Sequence, residues 1–221
     1  MIYPKRNENK MKDATKHLQM NEAMWDKWAE DDTLDNNGQL SRVLRAGQSK
    51  VISLLNIQPN VHLLDIGCGT GWAVGQAATL VDGKGLFYGV DLSPKMIEKA
   101  KSNFSGKDNF RFIQANSESI PVEDDFFDII VCTNSFHHYL HPDKALKEMY
   151  RLLKNGGKLY VLDPLADLWI VKFIDVIKKW TEPAHVKIYS TKEFQQLFEQ
   201  AGLKYSSTKT NWHEAIHIGE K

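Results

Sequence analysis

Residues 61–71 read V-H-L-L-D-I-G-C-G-T-G, and this stretch decides the fold. Val61–Ile66 is an apolar run of buried-strand length, and Gly67, Gly69 and Gly71 follow it with the spacing G-x-G-x-G. Glycine permits positive φ and lets a ligand approach the backbone without meeting a Cβ, while the next helix presents free N–H groups at its start. In an open α/β sheet the first strand–helix turn is the usual place for a nucleotide. Tight structural turns use the same residues, so the loop locates a site and leaves its ligand open.

Working outward, Leu86–Val90, Phe110–Ile113, Phe127–Val131 and Leu159–Leu162 are further apolar runs of strand length, with helical segments between them as parallel strands require. Ser93-Pro94 reads as an N-cap and first turn, with Met96, Ile97 and Ala100 on one face. Pro142 opens a helix carrying Ala145, Leu146, Met149, Leu152 and Leu153, and Asn155-Gly156-Gly157 supplies a left-handed stop. Ser190 and Glu193 form a capping box for a helix ended by Gly202, and strands near Leu203–Thr210 and Glu214–Ile218 close the sheet. On the N-terminal side, Leu40–Leu55 has helical apolar spacing and stops before Pro59. Met1–His17, rich in Lys, Asn and Asp, is expected to be a loose or conditionally ordered arm. The pattern predicts an α/β fold: a Rossmann-like, doubly wound, mostly parallel seven-stranded sheet with an N-terminal helical addition. Strand order stays open.

At 221 residues the chain suits one sizeable domain, and its 28 basic and 28 acidic residues create no global field toward nucleic acid or an anionic membrane. No apolar stretch approaches the ~18 residues of a membrane span, so no stable membrane insertion is expected, and residues 1–10 lack a signal-peptide core. A cytoplasmic protein is expected. Cys68 and Cys132 offer neither a disulfide framework nor zinc spacing, so both are read as reduced and no metal is expected.

The dinucleotide fingerprint G-x-G-x-x-G would need glycine where Trp72 stands, and Asp91 follows the second strand where an acidic residue holds ribose hydroxyls. The pair indicates an adenosyl ligand. Together D-I-G-C-G-T-G, V-D-L-S and Q-A-N-S-E-S-I-P resemble the motifs of class I S-adenosylmethionine-dependent methyltransferases over roughly Val61–Gly202. F-D-I-I-V-C-T-N-S-F-H-H-Y and R-L-L-K-N-G-G-K-L resemble the small-molecule branch that includes the ubiquinone/menaquinone-biosynthesis type. The resemblance implies residues 1–38 as an arm and lid helix and residues 39–221 as the methyltransferase domain. It also implies S-adenosyl-L-methionine as cofactor and S-adenosyl-L-homocysteine as product. Asp65, the backbone of Gly67, Cys68 and Gly69, and Gly71 would hold the methionine end. Asp91 would hold the ribose, Leu92 and Met96 would flank adenine, Asn116 and Ser117 would lie at its edge, and Asn134 beside the methionine moiety. Similar proteins often carry Asp at Asn116; an amide oxygen still accepts a hydrogen bond there, without charge assistance.

In-line methyl transfer needs alignment above all, and a general base only where the nucleophile holds a proton at attack. His137 and His138 follow the fourth strand and are the candidate bases, or else pocket-lining and packing residues; His141 and His185 are weaker candidates. Trp25 and Trp28, spaced i, i+3, share one helix face that either closes over the site as a lid or docks on the sheet. Leu165–Trp180, with Leu168, Trp169, Val171, Ile174 and Ile177, points either to an apolar small-molecule acceptor or to a homodimer face. Two alternatives remain: a non-catalytic S-adenosylmethionine-binding protein, and an NAD-dependent oxidoreductase disfavoured by Trp72. No nucleic-acid partner is expected, because there is no basic stripe and Asn134-Ser135-Phe136-His137 lacks the N-P-P-Y pattern. Arsenite chemistry would need more thiols.

Overall fold

Seven strands form one sheet in the order β3-β2-β1-β4-β5-β7-β6. They are β1 (Val61–Ile66), β2 (Gly85–Asp91), β3 (Phe110–Gln114), β4 (Phe127–Thr133), β5 (Leu153–Pro164), β6 (Lys204–Lys209) and β7 (Glu214–Glu220). All neighbours are parallel except β7, which runs antiparallel to both β5 and β6. The strand order reverses between β1 and β4, so the carboxyl ends of these strands flank the crevice where such sheets bind ligands. The computed structural model describes residues 5–31, 38–167, 169–182, 184–209 and 213–221; Leu168 and Thr210, part of the sequence expectations above, lie outside them.

Helices cover both faces, which is why the central strands are apolar on both sides. On one face lie α2 (Gln39–Leu54), α3 (Trp72–Thr79) and α4 (Pro94–Asn103), packing Val51, Val74, Ala77, Ile97 and Ala100 with Leu63 and Phe87 of the sheet. On the other, α5 (Pro142–Leu152) and α7 (Thr191–Gln200) bury Leu146, Met149, Phe194 and Phe198 with Leu64 and Ile130. Both expected caps form: Ser93 Oγ accepts from Met96 N at 3.1 Å, and Ser190 and Glu193 make the reciprocal box that opens α7.

Two expectations are corrected. The segment read as a loose or conditionally ordered arm is helical from Lys5, so its loose alternative gives way: α1 runs Lys5–Glu30 without a break. No Gly or Pro interrupts it, and Leu18, Asn21, Trp25 and Trp28 recur at three- and four-residue steps, giving one face that docks on the domain. Asn155-Gly156-Gly157 does not stop a helix either. The helix ends at Leu152, Leu153 already pairs with Phe127 in the sheet, and the glycines sit in a register shift before Ile129 pairs with Lys158. Sheet pairing of Leu153 prevails over its place in the helical period, and Gly156 takes φ +78° inside that bulge.

Candidate active site

The carboxyl ends of β1, β2 and β4, with α1 and α2, enclose a cavity of ≈ 300 Å³. Gly67, Cys68 and Gly69 form one wall, joined by Asp91, Leu92 and Met96 beyond β2, by Asn116 and Ser117 after β3, and by Asn134 after β4. Gly67 is held at φ +77°, and a Cβ there would meet Ser135 Oγ at 2.5 Å. Only glycine satisfies both constraints. Ser135 Oγ donates to Ile66 O at 3.2 Å and lies 3.1 Å from both Cys132 Sγ and Tyr139 Oη, so a buried polar triad supports the loop from behind.

The loop amides are used differently from the expectation. Gly67 N and Cys68 N both donate to Val90 O, at 2.8 and 3.0 Å, and Gly69 N donates to Asp91 Oδ2 at 2.9 Å. Asp91 also accepts from Ser93 N at 2.9 Å through Oδ1, tying the loop after β1 to the start of α4. Each carboxylate oxygen keeps a further lone pair for a ligand hydroxyl. Burial pushes the Asp91 carboxyl above the usual range, against the lowering effect of these amide bonds. The N–H groups of the first turn of α3, which has no side-chain cap, carry the helix-start donors.

Asp65 and Gly71 are not on the cavity wall. Gly71, at φ +87°, caps α3, and a Cβ there would press on Phe104 and Phe112. Asp65 is fully buried with neither oxygen hydrogen-bonded, and desolvation, then Asp91, push its carboxyl up to about 8. Asn116 uses its side-chain oxygen within its own turn, accepting from Glu118 N at 3.1 Å and from Ser117 Oγ at 3.5 Å. Asn134 adopts φ +55°, a conformation asparagine tolerates, with its N–H on Leu162 O at 2.8 Å. A glycine cradle, an acidic residue at the end of β2 and a largely apolar enclosure fit an adenosyl sulfonium ligand.

The histidine end of the cavity is built from scattered segments. His137 and His138 belong to a 3₁₀ turn, Phe136–His138, directly after β4. His137 Nδ1 is 2.8 Å from Asp163 Oδ1 at the end of β5, and His138 Nδ1 donates to Ala184 O at 3.0 Å. Their rings are 4.1 Å apart, and Trp25 packs edge-on against His138 at 5.3 Å and against Trp28 at 4.9 Å. Desolvation holds both imidazoles neutral, down at about 3, and lifts Asp163 well above the carboxylate range. His185 lies behind the wall, bonded to Asp175 Oδ1 at 2.7 Å, and His141 starts α5 away from the cavity. No group of three metal-ligating side chains occurs among the described residues.

Asp163 went unread in the sequence, although it follows the apolar run Leu159–Leu162 as Asp91 follows Leu86–Val90. The rule that ligands bind at carboxyl ends of strands would have found it. Arg45 and Gln48 of α2 and the Lys178–Glu182 pair, which also line the cavity, carry no comparable signal.

A family model described as a methyltransferase domain matches residues 57–202. This chain belongs to that family. The methyltransferase YcgJ of Bacillus subtilis is 35% identical over 159 residues, covering 70% of this chain and 61% of the relative. The ubiquinone/menaquinone biosynthesis C-methyltransferase UbiE of Pectobacterium atrosepticum is 33% identical over 115 residues, 51% of this chain and 46% of the relative. This chain therefore matches about half to three-fifths of the length of these relatives. Among solved structures, that of Bacillus subtilis YcgJ aligns with a TM-score of 0.71 at 24% identity, covering 80% of this chain and 98% of that one. A SAM-dependent methyltransferase from Aquifex aeolicus aligns at 0.67 and 22% identity, covering 86% and 95%. The fold of this methyltransferase-family chain is Rossmann-like, and the cofactor the family implies is S-adenosylmethionine.

Proposed function

We propose that this methyltransferase-family protein binds S-adenosylmethionine at the glycine loop and methylates a small, partly apolar acceptor in the cytoplasm, with His137 taking the acceptor's proton. The observation that carries this is the buried His137–Asp163 pair at 2.8 Å, in which His137 lines the cavity and Asp163 lies behind it. When bound, the cofactor supplies a methyl group activated on a cationic sulfonium. Gly67, Cys68, Gly69 and Asn134 would surround its methionine end, Asp91 its ribose, and Leu92, Met96, Asn116 and Ser117 its adenine.

A positive charge in the cavity favours the ionised form of Asp163 over the neutral form that burial alone enforces. An ionised Asp163 accepts from Nδ1–H and leaves Nε2 of His137 as a lone-pair base. His138, already donating through Nδ1 to Ala184 O, presents a second unprotonated nitrogen and Trp25 packs on it, so this residue orients the acceptor. Leu18, Met24, Trp25, Trp28 and Leu44 make the remaining wall apolar, and α1 acts as the lid that excludes water.

The test is release of S-adenosylhomocysteine over a panel of aromatic and isoprenoid hydroxy compounds, chosen because one relative is a ubiquinone/menaquinone biosynthesis C-methyltransferase. With an accepted compound, His137→Asn and Asp163→Asn should each lower kcat by about 10²–10⁴-fold at unchanged cofactor affinity. Full turnover in His137→Asn would remove the base assignment. Tight cofactor binding with no stimulation by any acceptor would favour a non-catalytic binding protein.

A further inference from the structure

The largest apolar exposure among the described residues is on helix α6, Trp169–Thr181, which follows β5. Trp169 is 78% exposed and Trp180 87%, and Phe173, Val176 and Ile177 lie exposed on the stripe between them. The steps 169, 173, 176, 177, 180 are helical, so these side chains form one continuous face about three turns long. Soluble proteins scatter single exposed apolar residues, but a stripe of this kind marks a surface that something covers. No described helix is long and apolar enough to cross a membrane, α6 included.

We infer that α6 is an in-plane anchor that docks this protein reversibly on an anionic lipid surface. Three features favour lipid over a second copy of the chain. The tryptophans stand at the two ends of the stripe with their rings in solvent; aromatic hot spots of protein interfaces instead cluster at the centre in desolvated pockets. Indole, apolar in body and polar at N–H, suits the headgroup boundary, and α6 has the aromatic face and lysine-bearing flank of helices that lie there. Charge points the same way, by a small margin: residues 165–193 hold five lysines and four acidic residues, a net +1 in a chain whose total is zero, with Lys178, Lys179 and Lys187 paired to Glu182, Asp175 and Glu193. An anionic bilayer attracts such an excess, and lysines paired to carboxylates can turn to its headgroups. Lys178 of the same helix lines the cavity from the other side, so docking would bring that wall of the pocket close to the lipid surface. The inference goes beyond the proposed methyl transfer and does not depend on which side chain takes the proton.

Flotation of the full chain with vesicles tests it, using phosphatidylcholine alone and phosphatidylcholine containing about one-third phosphatidylglycerol. Wild type should float with the mixed vesicles and less with the neutral ones, and added salt should erase that difference. A Trp169→Ser/Trp180→Ser double variant should partition at least about tenfold more weakly while keeping its melting temperature and its S-adenosylhomocysteine affinity. Absence of wild-type flotation, or equal flotation of the double variant, would overturn the inference. A dimer that light scattering detects in wild type and that the double variant dissolves would also overturn it, by assigning the face to a second copy.

Discussion

The two ends of the cavity are built by different means. The loop end is backbone: eleven consecutive residues, 61–71, make a strand and a turn, and one carboxylate, Asp91, ties that turn to the next strand and helix. The histidine end is side chain: His137 from the turn after β4, Asp163 from β5, Ala184 from beyond α6 and Trp25 from α1 meet only because the sheet brings them together. Backbone geometry tolerates change in the rest of the molecule, so one loop can serve any acceptor. A site of side chains from four segments is respecified whenever one of them changes. Within one cavity, the shared half of a chemistry is encoded locally and the particular half at long range.

Breaking the loop end should have the largest effect. Asp91→Ala removes the acceptors for Gly69 N and Ser93 N as well as the proposed ribose contact, and should weaken S-adenosylhomocysteine binding by about 10²–10³-fold by calorimetry. The fold should persist, because the parallel pairing of β1 with β2 is untouched. Unchanged affinity would remove Asp91 from the site.

Asp65→Asn probes the same end from behind and should have a smaller effect of opposite sign on stability. The folded carboxyl, pushed up to about 8 mainly by desolvation, holds its proton where the unfolded chain has lost it. The unfolded state is therefore favoured progressively as pH rises from about 4 to about 8, and wild-type stability should fall across that window and level off above it. The amide lacks this titration. The variant should melt higher than wild type at pH 8, by roughly 2 kcal/mol, with a flatter pH profile. A cation in the cavity should draw off the Asp65 proton, so binding of S-adenosylmethionine should strengthen toward pH 8 in wild type and lose that slope in the variant. Parallel slopes in the two proteins would disconnect Asp65 from the cofactor.

The same contrast explains what could be read without coordinates. The strands from Val61 to Leu162 were legible because each is a short apolar run flanked by a helix of matching period, and Ser93, Ser190 and Glu193 because a cap is a local hydrogen bond. Asn155-Gly156-Gly157 was misread for a tertiary reason: pairing of Leu153 with Phe127 ended the helix early and moved the glycines into the sheet. The loop residues followed from one motif, whereas the partnership of Asp163 with His137 spans 26 positions and leaves no local pattern. The helical reading reached only the part of α1 that carries Trp25 and Trp28; its first part was not read as helix because it is polar all round and resembles a solvated tail.

That helix supplies the smallest and most discriminating test, since it links the two ends. Asp26 accepts from Ser93 Oγ at 2.5 Å and from Lys95 N at 3.4 Å, while Glu30 pairs with Lys95. Two carboxylates thus converge on Ser93, Asp26 on its hydroxyl and Asp91 on its amide, and the repulsion between them helps to raise the Asp91 carboxyl. Asp26→Ala should therefore act in two directions. Loss of the contact loosens α1 by about 1 kcal/mol, a few degrees in melting temperature, and should speed cofactor release several-fold in stopped-flow measurements. Relief of the repulsion leaves Asp91 more readily ionised and should shift the acid limb of cofactor binding to lower pH. If α1 only docks on the sheet, stability falls but the release rate stays at the wild-type value. If it closes over the loop, release accelerates although Asp91 itself has become the better acceptor.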